Sequence, residues 1–398
     1  MKRRLNDWLS GYLEYADESE PPTSYHTWVG VACIASTLQR KVFFKWGFET
    51  LYPNMYIILI GPSGKCRKGT AMRMGFEILK NVGVKIVSES ITREALIRQM
   101  KTSVNSAIDP NTNTVNYHCS LTCFSEELSV FLGQSDVKFL ADLTDWYDSK
   151  DKWTYETKNQ GTDTIQGLCF NILGATAADW LVSILPQEAI GGGFTSRIIF
   201  VVEENKRRTL PKPAFTKRTR LLMEALKADL EHIGTLVGRF DFSPDTEEEY
   251  MAWYQQQDAN TFKGIGPIQD PRFAGYCERR ATHLRKLCMI FSASRGDDMI
   301  ITQDDFKRAL NTLKAVEVKM PRVFSGLGTA KYAQATEKIL IYLASKKQVQ
   351  QMELLTHFYR DVDYETLKII EATLEKMGVI RVMINPADKQ VVYQYIGQ

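Results

Sequence analysis

The sequence lacks the features that would mark a simple function class. Its 398 residues carry 50 Lys and Arg against 47 Asp and Glu, a formal charge of +3, so neither sign is in excess. That excludes a histone-like or arm-like protein holding nucleic acid by bulk charge, but leaves room for a local patch. No apolar run approaches the ~18 residues of a membrane span, and MKRRLNDW at the N-terminus has no apolar signal core. A soluble, cytoplasmic chain with no membrane partner is therefore expected. The seven cysteines are scattered without a CxxC. Most stand in apolar runs and read as free, buried thiols of a reduced compartment. His118, Cys119 and Cys123 have no second ligand pair, and read as alternating strand residues rather than a zinc corner. There is no internal repeat, and 24% charged with 11% aromatic residues exclude a low-complexity or disordered chain.

What is present is an alternation of strand and helix patterns. Two helices are expected in residues 1–40, broken at Glu20-Pro21-Pro22. Short strands follow at 42–46 and 56–60, the second continuously apolar, as in a parallel strand covered on both faces. From there to residue 205 the pattern predicts helix 71–81, strand 84–87, a helix from Thr92, strand 120–124, helix 137–147, strand 168–173 and strand 198–202. That is a three-layer α/β domain with a mostly parallel sheet. Residues 206–220 hold seven basic residues, no acidic ones and two prolines, and read as an exposed connection. A helical region spans about 214–325. After Gly326-Leu327-Gly328, helices 335–346, 351–359 and 364–377 precede strands 379–384 and 390–396, the pattern of a winged helix-turn-helix. The expected parts are an N-terminal helical collar (1–40), a P-loop core (41–205), a helical lid region (206–328) and a winged helix (329–398).

Gly61-Pro62-Ser63-Gly64-Lys65-Cys66-Arg67-Lys68-Gly69-Thr70 lies between a buried strand and a helix. Glycines let backbone N–H groups curl around an anion at a helix N-terminus, a lysine reaches the outer phosphates, and a hydroxyl meets Mg²⁺. The standard spacing would place Cys66 and Arg67 where Gly and Lys belong. Sliding by one residue selects Lys68-Gly69-Thr70, with Lys68 on phosphate and Thr70 on the metal side; Lys65 and Arg67 remain alternative phosphate contacts. Glu126 and Glu127 close an apolar strand, the layout in which the first acid holds Mg²⁺ and the second polarises water. Thr176 closes the next strand, where a hydroxyl can sense the γ-phosphate. Gly191-Gly192-Gly193 leads to Ser196-Arg197, and an arginine before the last strand suits a finger reaching a neighbouring subunit's site.

In this order the motifs resemble AAA+ P-loop ATPases, and more narrowly the replicative helicases of phages and prophages, akin to superfamily 3 and MCM helicases. The resemblance covers roughly residues 25–325; only the Walker pair is specific, and the lengthened Walker A loop departs from the pattern. It implies ATP and Mg²⁺, a ring (a hexamer) of identical subunits on single-stranded or forked DNA, and Arg197 acting in the next protomer. It also implies that the hairpin expected at 152–165 projects into the ring channel, with Lys152, Trp153, Lys158 and Asn159 touching DNA. The helix beginning Arg279-Arg280 resembles a sensor 2 helix, with Arg279, Arg280 and Arg285 as candidates for the nucleotide contact. His283 reads as a packed residue. The presumed recognition helix of the tail carries Glu365, Glu371 and Glu375, so a protein contact such as primase is as well suited to it as DNA. The expectation is an ATP-hydrolysing, ring-forming DNA helicase or translocase of a phage or mobile-element replication system. The alternatives are a RecA-like hexameric helicase, an ATP-gated origin-binding initiator, and a protein-binding ATPase.

Overall fold

The computed structural model describes residues 3–87, 89–109, 113–133, 137–157, 161–186, 189–324, 332–359, 361–384 and 390–397. The chain divides into two compact units, 1–324 and 325–398. In the first, α1 (Trp8–Tyr15) and α2 (Thr23–Leu38) lead to the hairpin β1 (Val42–Trp46) and β2 (Glu49–Leu51). Then come β3 (Tyr56–Ile60), α3 (Lys68–Leu79), β4 (Ile86–Val87), α4 (Arg93–Thr102), β5 (Val104–Ile108) and β6 (Val115–Ser125). The chain continues through α5 (Leu128–Leu132), α6 (Val137–Tyr147), the hairpin β7 (Lys152–Thr157) and β8 (Gly161–Gln166), β9 (Leu168–Thr176), α7 (Ala178–Ile184) and β10 (Ile198–Val202).

Among the described residues the main sheet has the order β10-β3-β9-β6-β4, with β5 pairing antiparallel on the flank of β6. The five strands of that path run parallel. β3 and β10 are buried at every residue, which is why both are unbroken runs of Val, Ile, Leu and aromatic residues rather than alternating ones. α2 covers one face. Gly75 of α3 lets the two helices touch, since a Cβ there would fall 2.3 Å from Val29 Cγ1. α2 is buried along most of its length. The segment expected as a collar is thus part of the layer that covers the sheet, in the same compact unit.

The expected elements recur with shifted ends. α6 and β10 keep their predicted bounds, α3 starts at Lys68 instead of Ala71, the strand expected from 84 is only two residues long, and β6 begins five residues early. Residues 206–324 contain α8 (Lys217–Ile233), β11 (Gly238–Phe242), α9 (Pro244–Phe262), α10 (Ala274–Arg295), β12 (Ile300–Ile301) and α11 (Gln303–Glu317). The sequence pattern predicts an exposed connection over 206–220 and a helical region over about 214–325, with no strands. Instead β11 and β12 join β1 and β2 in a second sheet, ordered β12-β11-β1-β2. The basic stretch is tied down: Lys206 pairs with Glu20, Arg207 and Arg208 with Asp17, and Arg218 with Glu14.

The second unit runs α12 (Ala333–Lys346), β13 (Gln348–Gln350), α13 (Gln351–His357), α14 (Tyr364–Lys376), β14 (Ile380–Ile384) and β15 (Val391–Tyr395). Its sheet has the order β13-β15-β14. Ile339, Leu343, Leu354, Leu367, Ile370, Leu374 and Tyr393 form its own core, and Asp363 caps α14 by accepting from the Thr366 N–H. The expected turn at 385–389 and Gly326-Leu327-Gly328 lie outside the described residues. No helix of the described residues is long and apolar enough to cross a membrane.

Candidate functional site

Because the strands are parallel, their C-terminal ends share one edge of the sheet, and the registers level Ile60 with Thr176 and with Val202. The loop 61–67 leaves β3 there. Gly61 donates its N–H to the Thr176 carbonyl at 3.3 Å, so the candidate sensor residue touches the loop directly; its own hydroxyl donates to the Ala177 carbonyl. Gly64 turns the loop with a φ of +72°, a conformation glycine adopts at no steric cost. Arg67 then takes the left-handed conformation as the residue preceding α3, which is uncommon for a side chain with a Cβ. The turn sends Arg67 outward to Glu20, Nε to Oε2 at 3.0 Å. Lys65 is exposed.

Lys68 stays at the mouth of the loop, where its Nζ donates to the carbonyl of Gly61 at 2.5 Å and of Pro62 at 3.4 Å. Burial lowers its pKa, while Cys66 and Glu127 pull it back up, which places the second carboxylate within electrostatic reach of the lysine. Glu126 closes on the same point. A Cβ on Gly69 would fall 2.6 Å from Glu126 Oε2, so the carboxylate rests on the first turn of α3, next to Thr70. Burial raises the Glu126 carboxyl, Arg73 opposes that, and Glu89 and Glu127 add to it. Thus the loop, Lys68, Thr70, Glu126, Glu127 and Thr176 are brought together at one sheet edge, with the N-terminus of a 12-residue helix facing it.

Several neighbours of this edge were not singled out from sequence. The Tyr25 hydroxyl donates to the Ile60 carbonyl at 2.7 Å, fixing α2 to the root of the loop. The Glu203 carbonyl accepts from Cys66 Sγ at 3.1 Å, and its carboxylate binds Lys319 and Ser24. A cavity of about 560 Å³ opens beside Glu203, lined among others by Ser24, Trp28, Asn311, Thr312 and Lys319. Arg73 and Glu89 join Glu126 from α3 and from beyond β4. The signal available for Glu203 was its place just after an apolar parallel strand; Tyr25 gave none, because it reads as one more apolar helical position.

The remaining candidates lie elsewhere. Arg197 precedes β10, whose first residue is level with Tyr56, so it stands at the opposite end of the strands, roughly 16 Å along the sheet at ~3.3 Å per residue. It is not presented to solvent: it is 5% exposed, with Nη2 on Asp148 Oδ2 at 2.6 Å and Nη1 on the Gly193 carbonyl at 2.8 Å. Arg279 shares Asp148 at 3.8 Å. Arg285 is buried and pairs with Glu49 on β2, while Arg280 makes a bidentate pair with Glu317. These three candidates for a nucleotide contact are therefore held by carboxylates of other elements. His283 is a packed residue: the Tyr147 hydroxyl donates to Nδ1, and Nε2–H donates to the Ser196 carbonyl. In the hairpin, Lys152 is exposed, but Trp153 packs edge-on against Trp146 with ring centres 5.6 Å apart. Lys158 and Asn159 lie outside the described residues.

Among the described residues no group of three His, Cys, Asp or Glu could hold a metal by itself. The oxygen donors near the loop, the Glu126 carboxylate at Gly69 and the hydroxyl of the next residue, Thr70, are of the type that suits Mg²⁺, which takes one or two protein oxygens and completes its shell with phosphate and water. Set against known proteins, the chain matches no family model and no curated protein at a significant level.

Proposed function

We propose that the chain is an ATP-hydrolysing P-loop motor of the AAA+ type, working as a ring-forming DNA helicase or translocase in the replication of a phage or mobile element. The observation that carries this reading is the meeting of Glu126 with Gly69 on the first turn of the helix that follows the loop. The strand order supports it too, since the strand ending in Thr176 lies between the loop strand and the acidic strand. In this reading Lys68 leaves its own loop carbonyls for the β- and γ-phosphates. Thr70 and Glu126 would hold Mg²⁺, which would supply neutralisation of phosphate charge. Glu127 orients and polarises the attacking water, and Thr176 ties the position of the loop to the γ-phosphate. The element order of the second unit supports a winged helix-turn-helix.

Binding of a fluorescent ATP analogue and phosphate release, with and without single-stranded DNA, test the reading. Glu127→Gln is expected to bind nucleotide and hydrolyse it at least about 100-fold more slowly, and Lys68→Ala to bind poorly. Wild-type protein that binds no nucleotide would refute the proposal. The second reading is a protein-binding ATPase without unwinding activity. It is favoured by the pairing of the basic stretch with Glu14, Asp17 and Glu20 and by the exposed Ile341, Met352 and Ile369 on the tail. Hydrolysis unaffected by DNA would select it.

A further inference from the structure

Arg73 lies one turn beyond Gly69 on α3, with its Nε 3.3 Å from the Gly69 carbonyl and 3.7 Å from Glu126 Oε1. Its side chain is 67% exposed, so core packing does not hold it there. A hydrogen bond to the Gly69 carbonyl and a looser ion pair with Glu126 do. A Cβ on Gly69 would lie 2.6 Å from Glu126 Oε2 and 3.9 Å from Arg73 Nη2, so backbone, carboxylate and guanidinium converge at Gly69. Glu89 and Glu127 both act on Glu126 electrostatically and Arg73 opposes them, so the guanidinium offsets like charge at this edge.

We propose that Arg73 is a built-in competitor of the divalent cation: without nucleotide its guanidinium neutralises Glu126, and the metal enters by displacing it. The inference rests on the P-loop reading above and adds a residue that neither the loop nor the acidic strand contains. A guanidinium cannot coordinate a metal, so Arg73 and the cation exclude each other at Glu126. Once displaced, the side chain is long and exposed enough to swing into solvent. The arrangement keeps the carboxylate seated at the helix turn while the site waits for its ligand.

Mn²⁺ titration followed by electron paramagnetic resonance, on the full chain with saturating non-hydrolysable ATP analogue, tests this with Arg73→Gln and Arg73→Lys. Nucleotide binding in EDTA is measured for each protein. Arg73→Gln is expected to bind Mn²⁺ up to about fivefold more tightly, which corresponds to about 1 kcal/mol, the upper range of an exposed ion pair. Arg73→Lys stays near wild type, and affinity in EDTA is unchanged. Equal or weaker Mn²⁺ binding by Arg73→Gln overturns the proposal, as does a loss of nucleotide affinity in EDTA, which would make Arg73 a phosphate ligand. Arg73→Met serves if the glutamine variant does not fold. Wild-type protein that binds no nucleotide in either medium gives a different signature, the failure of the P-loop reading itself.

Discussion

The carboxylate of Glu126 occupies the place that a side chain on Gly69 would fill, with 2.6 Å between Oε2 and the position of a Cβ. Gly69→Ala therefore pushes the carboxylate off the first turn of α3. Mg²⁺-dependent nucleotide affinity is expected to fall at least about tenfold, the equivalent of one charge-assisted contact of about 1.4 kcal/mol. Affinity in EDTA should change much less. Calorimetric titration in the two media separates the effects.

Arg197 is a buried cation whose carboxylate partner is half exposed. Asp148→Ala leaves the guanidinium with the Gly193 carbonyl and the face of the Tyr147 ring, 5.9 Å from its centre, and an uncompensated buried charge is costly. Breaking such a pair costs about 3 kcal/mol, lessened here by the exposure of Asp148. Urea denaturation should show it, with Asp148→Asn losing less than Asp148→Ala.

Acid should weaken the first unit before its carboxylates titrate. Burial pushes His26 and His283 down to about 3 and His118 to about 4, from an ordinary 6.5. Each folded-state value is lowered, so the unfolded chain binds more protons between those values and 6.5. The stability these neutral imidazoles contribute is complete above about pH 6.5 and falls as pH drops, by up to about 1.4 kcal/mol per pH unit for each histidine. Denaturation at pH 7.5, 6.0 and 5.0 measures the slope, and a His283→Gln variant should have a shallower one.

Gly75 is set by contact rather than by backbone conformation. A methyl group there would meet Val29 Cγ1 at 2.3 Å and Cys33 Sγ at 3.2 Å. Gly75→Ala is expected to destabilise by about 1–3 kcal/mol through overpacking, despite the gain in helix propensity. Thermal denaturation checks the sign.

Much of the frame was legible because burial writes itself into local pattern. The strand 56–60 and the strand 198–202 are apolar at every position, and α6 shows a strong helical period, so their bounds could be read directly. β11 and β12 could not. Gly-Arg-Phe-Asp-Phe is short, and its partner β1 lies almost two hundred residues earlier, a pairing no local pattern encodes. At the site, the glycines and carboxylates announced themselves by type and spacing. Tyr25 and Asp148 did not, because what makes them matter is a hydrogen bond or ion pair across distant elements. The partners of the arginines were illegible for the same reason: a guanidinium looks available in a sequence until its carboxylate is found.

The neighbours of β3 have a consequence for synthesis. Both strands that flank it, β9 and β10, come later in the chain, and β10 ends roughly 140 residues after it. At about 5–20 residues per second, translation leaves the edge of Tyr56–Ile60 without its last partner for about 7 to 28 seconds. During that interval a fully apolar strand offers unpaired N–H and C=O groups to any other nascent chain. The sheet, and with it the level ends of β3, β9 and β10 from which the loop 61–67 leaves, is complete only once β10 has docked on β3.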